Sequence, residues 1–130
     1  MVTKKSEKII SGGKKESFIA VLAPNPYVSN EIASHIELEL GIKTLQEHGI
    51  ANAVALCEKM KPDLVILDTG LGDEDGYEVV RQLPKFKIIL FTAMTDFVRK
   101  KEYKNLLEVV EKPVNQSQLI QLVKKHLNLI

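Results

Sequence analysis

Hydrophobic positions along this chain follow two alternating patterns: short continuous apolar runs, and longer stretches in which apolar residues recur every three or four positions. Continuous runs are typical of parallel strands that are covered on both faces of a sheet. Three clear runs fall at residues 18–22, 64–67 and 88–91, and two weaker candidates fall at 42–46 and 106–110. The pattern therefore predicts five strands.

The stretches between the runs predict amphipathic helices, because such spacings place the apolar residues on one helical face. The stripes comprise Val28, Ile32, Ile36 and Leu40; Ile50, Val54, Cys57 and Met60; Tyr77, Val80 and Leu83, ended by Pro84; and Leu119, Leu122, Val123, Leu127 and Ile130. Phe97, Val98 and Lys101 suggest a further, poorly apolar helix, the fourth along the chain. Asp75 is predicted to cap a helix that starts at Tyr77. Asn115 and Gln118 predict a capping box for the last helix.

Strand followed by helix, repeated five times, predicts an α/β fold with a parallel sheet and helices on both faces. The common arrangement for five strands is a flavodoxin-like doubly wound (βα)5 sandwich of strand order 2-1-3-4-5. Ligands of such sheets gather at the carboxyl ends of the strands. We therefore expect the chemistry in the loops after the first, third, fourth and fifth strands.

Composition and charge reduce the number of protein classes to which the chain can belong. A length of 130 residues argues for one domain, and no apolar run approaches the ~20 residues of a membrane span. The single cysteine excludes an internal disulfide and fits a reducing compartment, so we expect a cytoplasmic protein. A net charge of +1 implies neither direct nucleic-acid binding nor membrane attraction. Residues 1–16 hold five lysines and two glutamates, which predicts a flexible basic N-terminal tail before a domain at 17–130.

Polar residues end three successive predicted strands. Asp68 follows the third run and can serve as a nucleophile, a metal ligand or a turn cap. Thr92 ends the fourth and can donate a hydrogen bond to a phosphoryl oxygen, while Lys112 after the fifth can pair with Asp68. Pro113 makes the preceding peptide bond a candidate for the cis isomer. Each residue alone has a purely structural explanation, but the three together, in this order, indicate a site.

This arrangement resembles the receiver domain of response regulators in two-component signalling, over about residues 17–130. Residues 61–68 resemble the phosphoacceptor strand of that family, Phe91-Thr92-Ala93 its strand-four signature, and Lys112-Pro113 its strand-five signature. The resemblance implies that Asp68 accepts a phosphoryl group from a histidine kinase or phosphotransfer protein, and that Thr92 and Lys112 bind its oxygens. It also implies Mg²⁺ held by Asp68 and the Gly70 carbonyl, a downstream protein partner, and no enzymatic activity.

The chain departs from the family at the acidic pair that follows the first strand. That place reads Ala23-Pro24-Asn25-Pro26, and neither way of aligning it supplies a carboxylate. Asn25 offers only a neutral oxygen, whereas Mg²⁺ prefers carboxylates. Asp73 and Glu74 lie near in sequence but are more typical of a solvated loop.

Two further positions differ from the family pattern. The strand-five aromatic is Val109, and the loop proline is Gly72.

Because the acidic pair is missing, we expect a direct ion pair between Asp68 and Lys112 in place of a metal-bound site.

Two hypotheses follow for the site. Asp68 is phosphorylated despite an impaired Mg²⁺ site, or the domain is a phosphorylation-independent pseudo-receiver that acts through protein contacts. The missing acids favour the second hypothesis, because a metal ion neutralises charge during phosphoryl transfer.

The alternative from another class is a flavodoxin-like domain that binds a small ligand. The chain has no dinucleotide fingerprint, and only 5% of its residues are aromatic. The three histidines, His35, His48 and His126, lack metal-ligand spacing, and Cys57 lies on a core stripe. Arg99, Lys100 and Lys101 form a small basic patch on the predicted fourth helix.

Overall fold

A five-stranded parallel sheet forms the centre of the molecule. The computed structural model describes residues 10–11, 14–15, 17–69, 73–93 and 102–129. The strands of the sheet are β1 Phe18–Leu22, β2 Lys43–Glu47, β3 Leu64–Asp68, β4 Ile88–Thr92 and β5 Leu106–Glu111. Their spatial order is β2-β1-β3-β4-β5, with every neighbouring pair parallel. This is the predicted fold, and it confirms the predicted strand order.

Helices cover both faces of the sheet. The described helices are α1 Pro26–Leu40, α2 Ile50–Met60, α3 Asp73–Gln82 and α4 Gln116–His126. The predicted helix around residues 97–101, with its basic patch, lies outside the described residues. No helix in the described part of the chain is both long and apolar enough to span a membrane. Ahead of the sheet, Ile10–Ser11 pairs antiparallel with Lys14–Lys15. The division between tail and domain near residue 16 stays a prediction.

The three central strands are apolar at nearly every position because both of their faces are buried. All residues of β1, β3 and β4 are buried, whereas the edge strand β2 is half exposed. Alternate residues of each strand therefore enter two separate cores. One core packs against α2 and α3, around Cys57, Tyr77 and Val80. The other packs against α1 and α4, around Ile36 and Val123.

Side-chain caps start two of the helices. The Oδ1 of Asn25 accepts a hydrogen bond from the backbone of Tyr27 at the start of α1. The Oδ1 of Asn115 accepts one from the backbone of Gln118 at 2.7 Å, which confirms the Asn115 half of the predicted capping box. The prediction that Asp75 caps a helix starting at Tyr77 is wrong.

The helix α3 begins at Asp73, so Asp75 lies inside its first turn. Apolar periodicity begins only at Tyr77 and does not mark the acidic turn before it. Carboxylates in a first turn favour a helix, because they offset the positive end of its dipole.

Strand register brings the candidate residues to one edge of the sheet. Leu22 of β1 pairs with Leu67 of β3, so Ala23 follows level with Asp68. Asp68 pairs with Phe91 of β4, and the next residue, Thr92, pairs with Glu111. The carboxyl ends of β1, β3, β4 and β5 thus meet at this edge, where doubly wound sheets bind their ligands.

Candidate functional site

A direct ion pair joins the ends of β3 and β5. The Nζ of Lys112 donates a hydrogen bond to Oδ1 of Asp68 at 2.8 Å and a second to the carbonyl oxygen of Thr69 at 2.6 Å. The backbone N–H of Lys112 donates to the carbonyl oxygen of Thr92 at 2.8 Å. The bond between Lys112 and Pro113 is cis. Both the predicted ion pair and the predicted cis bond are present.

The Asp68 carboxylate lies in a poorly solvated place. Its side chain is 9% exposed, against 29% for Lys112. Burial raises the pKa of Asp68 above its ordinary value of 3.8, and the hydrogen bond and charge of Lys112 offset this only in part. The reason is that removing a carboxylate from water penalises its charged form, and a single ammonium group repays part of that cost.

Thr92 ends β4 beside this pair and is fully buried. Its carbonyl anchors Lys112, as described above. The neighbouring Thr69, which follows β3, donates from its backbone N–H and its Oγ1 to the carbonyl oxygen of Phe91 at 3.0 and 3.2 Å. Asp68, Thr92 and Lys112 therefore share one edge, with Asp68 and Lys112 in side-chain contact. Thr69 has no place in the sequence-based prediction, since nothing marks its carbonyl as a lysine ligand.

The loop after β1 brings no carboxylate to the edge. Ala23 is buried and its N–H donates to the carbonyl of Glu47, whereas Pro24 has no side-chain donor or acceptor. Asn25 is exposed, and its Oδ1 is already used as the cap of α1.

These residues do not fit a Mg²⁺ site. The described residues hold no group of three or more histidine, cysteine or acidic side chains arranged for a metal ion. Gly70, which the sequence suggests as a carbonyl ligand, and the side chains of Asp73 and Glu74 lie outside the described part of the chain. Asp68 with a capping amide is a poor cage for an ion that prefers carboxylates in octahedral geometry.

A cavity of about 530 Å³ opens at this edge, on the side of α2 and α3. We call it the edge cavity. Its described lining comprises Leu22, Ala23, Pro24, Asn25, Glu47, His48, Gly49, Ile50, Ala53, Leu67, Asp68, Thr69, Gly76 and Val79. Glu47 and His48, at the end of β2, were outside the loops in which the sequence predicted chemistry. The sequence feature that could have revealed them is a pair of adjacent polar residues directly after the weak predicted strand at 42–46.

His48 belongs to a hydrogen-bonded group at the rim. Its Nε2 lies 3.0 Å from Oγ of Ser29, which also hydrogen-bonds to the Gln46 side chain at 2.7 Å. The other histidines have acidic neighbours: His126 contacts Glu108 at 2.9 Å, and His35 lies 4.0 Å from Glu31.

Comparison with known proteins identifies the family. Residues 19–124 match the family model of the response regulator receiver domain, so this chain belongs to that family. Receiver domains are signalling modules of two-component systems and are generally not enzymes. They interact with histidine kinases or phosphotransfer proteins and typically bind Mg²⁺.

Individual relatives are distant. The chain is 30% identical over 81 residues to the sensory transduction protein LytT of Bacillus anthracis, covering 59% of this chain and 33% of that protein. It thus spans about a third of the length of this relative. It is 28% identical over 116 residues to an uncharacterised 14.6 kDa protein from Leptolyngbya boryana, covering 83% of this chain and 88% of that protein.

Solved receiver domains share the fold. The CheY-like receiver domain protein of Methanospirillum hungatei matches with a TM-score of 0.76 at 20% identity, covering 87% of this chain and 94% of that one. The receiver domain of a putative Luxo repressor protein from Vibrio parahaemolyticus gives a TM-score of 0.75 at 18% identity, covering 87% and 91%.

Proposed function

We propose that this chain is a receiver domain that signals through protein contacts, without Mg²⁺-dependent phosphorylation of Asp68. The observation that carries the proposal is the surroundings of this carboxylate. Lys112 occupies Oδ1 of Asp68, and the loop level with it, Ala23 to Asn25, contributes no carboxylate. In this view Asp68 occupies the phosphoacceptor position of the family but has lost the ion that drives the chemistry.

The argument rests on charge. A phosphoryl group brings negative charge to a buried carboxylate, and phosphoryl transfer depends on cations placed to neutralise that charge. Lys112 supplies one positive charge, which already fails to offset the burial of Asp68 alone. A second anion at the same place would need a second cation, and the described residues around Asp68 offer none.

The Lys112 contacts give the domain one fixed arrangement of its sheet edge. They tie β3 to β5 through Asp68 and Thr69, and to β4 through Thr92. A regulator built in this way presents its partner surface without phosphorylation of Asp68. That partner is a protein of a two-component pathway, either a histidine kinase or phosphotransfer protein or a downstream target.

The other hypothesis is that Asp68 is phosphorylated. It has support of its own, because Asp68, Thr92 and Lys112 occupy the three strand ends that the family uses. The two hypotheses differ in one chemical event, which intact-mass measurement detects directly.

The test is incubation of the folded protein with Mg²⁺ and acetyl phosphate, followed by intact mass spectrometry. Asp68→Ala and a receiver that is known to autophosphorylate run in parallel. We expect no added phosphoryl group on this chain under conditions that label the positive control. A phosphoryl group that requires Mg²⁺ and disappears in Asp68→Ala would overturn the proposal.

A cognate donor is the second arm of the same test. Histidine kinases and phosphotransfer proteins of the source organism, each labelled beforehand on histidine, are mixed with the chain. We expect complex formation without transfer of the label, and transfer to Asp68 would count against the proposal.

A further inference from the structure

We propose that the edge cavity binds a small organic amine with an apolar body, and that this ligand replaces phosphorylation as the input to the domain. The inference rests on the proposed function, since it assigns an input to a site that has lost its metal. It concerns the space beside Asp68 and needs no phosphoryl chemistry.

The size and walls of the cavity suit an organic molecule. Its volume of about 530 Å³ falls in the range of small-molecule sites, which bind mostly through apolar walls and a few polar groups. Apolar side chains from four elements line it, namely Leu22, Ile50, Ala53, Leu67 and Val79. A hydrated metal ion would leave these walls uncovered, so they favour a ligand with a hydrocarbon part.

Small residues keep the cavity open. Ala23 stands level with Asp68, and Ala53 is buried on the inner face of α2. Gly49 starts α2, and a Cβ atom built there would meet nothing within 4 Å. Longer side chains at these places would narrow or fill the space.

The polar groups of the lining call for a positively charged donor. Asp68 and Glu47 are carboxylates, and the described lining holds no lysine or arginine. Lys112 reaches Asp68 on Oδ1, and no other hydrogen bond to that carboxylate occurs within the described part of the chain. The described residues therefore place no hydrogen-bond donor on Oδ2 of Asp68, and the proposal assigns this oxygen to the ligand. A protonated amine matches this set, because hydrogen bonds to a carboxylate are stronger when the donor is charged.

Such a ligand would act on the contacts that define the site. An ammonium group on Oδ2 of Asp68 lies close to the Lys112 ammonium on Oδ1, and the two positive charges repel each other. Lys112 also holds Thr69 and Thr92, so a change in its position reaches the ends of β3 and β4. Ligand binding is thereby linked to the sheet edge that phosphorylation controls in other receivers.

The test is a titration followed by amide NMR in the absence of Mg²⁺ and phosphodonor. The probes are phenethylamine, its neutral analogue phenethyl alcohol and the anion hydrocinnamate. We expect saturable shifts at the amides of Gly49, Ala53 and Thr69 with phenethylamine. Its affinity should exceed that of hydrocinnamate by roughly tenfold or more, the size expected for a hydrogen bond to a charged group.

Matched variants locate the binding. Ala53→Leu fills the cavity and should remove the shifts, whereas Ala55→Leu makes the same change on the exposed side of α2 and should leave them. Asp68→Asn keeps the size of the side chain and should lower the affinity for phenethylamine while sparing that for phenethyl alcohol. Thermal melts establish that each variant is folded.

Either of two results would overturn the inference: no saturable binding of phenethylamine, or equal binding of the amine and the anion. Because the titration contains no phosphodonor, its result is separate from the mass-spectrometric test. Failure to bind the amine therefore contradicts the inference alone. Phosphorylation of Asp68 contradicts the proposed function, whether or not the amine binds.

Discussion

At the scale of single residues, the contact of Lys112 with Asp68 does not fully offset the cost of burying the charged carboxylate. The pKa of Asp68 is raised by burial despite a hydrogen bond at 2.8 Å from an ammonium group. The native state therefore holds a proton on Asp68 more tightly than the unfolded chain does. Ionised Asp68 costs stability, and the contact with Lys112 limits that cost without removing it.

Replacing Lys112 by methionine tests this balance. The change removes the two influences that lower the pKa of Asp68, so its pKa should rise further above 3.8. The part of the stability loss that comes from Asp68 is absent well below pH 3.8, where Asp68 is protonated in both states, and it grows as the pH rises toward the folded-state pKa. We expect a loss of about 1–3 kcal/mol at neutral pH, less than for a fully buried pair because Lys112 is partly exposed.

Urea unfolding across pH and carbon NMR of the Asp68 carboxyl group provide the measurements. Lys87→Met is the control, since Lys87 is exposed and precedes β4. An unchanged pKa of Asp68 in Lys112→Met would show that the pair does not form in solution.

Gly76 is the second residue whose identity the packing demands. A Cβ atom at this position would lie 2.5 Å from Cγ2 of Thr69 and 3.2 Å from Cδ1 of Leu90. Both neighbours are buried, so neither can move away freely. Gly76→Ala should lower stability by roughly 1 kcal/mol or more, because overpacking outweighs the gain in helix propensity.

Gly49→Ala is the matched comparison for Gly76→Ala. Gly49 is the N-cap of α2 and has nothing within 4 Å of a built Cβ, so Gly49→Ala carries no steric cost and should lower the free energy of unfolding less than Gly76→Ala does. Chemical denaturation of the two variants side by side decides the point. Equal stabilities would mean that α3 does not pack on Thr69 as described.

At the scale of elements, a cluster of charges fastens the last turn of α4 to β5. Glu108 of β5 accepts hydrogen bonds from Lys125 at 2.8 Å and from His126 at 2.9 Å. Burial raises the pKa of Glu108, but the contacts with Lys125 and His126 outweigh it and hold the pKa below the ordinary value of 4.5. Ionised Glu108 is therefore stabilised by folding, the opposite of Asp68.

Glu108→Gln should loosen this end of α4. The expected loss is roughly 1 kcal/mol at neutral pH, because the cluster is partly exposed. A group with a lowered folded-state pKa stabilises the protein above its unfolded pKa, and this contribution is lost as the pH falls through the folded value. The stabilities of wild type and variant should therefore converge well below pH 4.5.

Hydrogen exchange of the α4 amides near Leu127 reports the loosening directly. Glu111→Gln serves as the control, since Glu111 is exposed at the end of the same strand. Faster exchange in both variants alike would argue against a specific role of the Glu108 cluster.

Most elements could be predicted from the sequence because their signal is local. Continuous apolar runs marked β1, β3 and β4 well, since these strands are buried on both faces. The weaker edge strand β2 was predicted at 42–46 and lies at Lys43–Glu47, because half-exposed strands carry a weaker pattern. The start of α3 was missed, since a polar first turn leaves no apolar stripe.

The features of the site also fall into two groups, those that the sequence could predict and those that it could not. Asp68, Thr92 and Lys112 could be predicted because each directly follows a recognisable strand and the fold brings strand ends together. The edge cavity could not be predicted, because it is space that small residues leave unfilled. The small size of Gly49 and Ala53 acquires meaning only when α2 is placed over β1 and β3.

At the scale of the whole molecule, two cores pack on opposite faces of one sheet, and the sheet edge lies between them. Thr69, Gly76 and Leu90 connect the core under α2 and α3 to the Asp68 site. The opposite core under α1 and α4 reaches the same edge through β1 and its loop. A change of charge at this edge should therefore affect the packing on both faces of the sheet. For this reason the missing acids after β1 matter for the whole domain.

The double substitution Ala23→Asp and Pro24→Asp tests this dependence, because it places two carboxylates beside Asp68. Without metal they should lower stability through like-charge repulsion. Added Mg²⁺ should then restore stability by about 2.7 kcal/mol at a concentration roughly 100-fold above its dissociation constant. With acetyl phosphate, the variant should gain a phosphoryl group on Asp68 that wild type lacks.

Ala23→Asn with Pro24→Asn is the uncharged control and should gain neither property, and Asp68→Asn in the acidic variant should abolish labelling. Calorimetric Mg²⁺ titration and intact-mass measurement of all four proteins would complete the comparison. If wild type already bound Mg²⁺ as tightly as the acidic variant, ligands beyond the described residues would have to supply the cage, and the loss of the acidic pair would not explain the behaviour of Asp68. If the acidic variant alone responds, the two missing carboxylates are sufficient to separate this domain from a phosphorylated receiver.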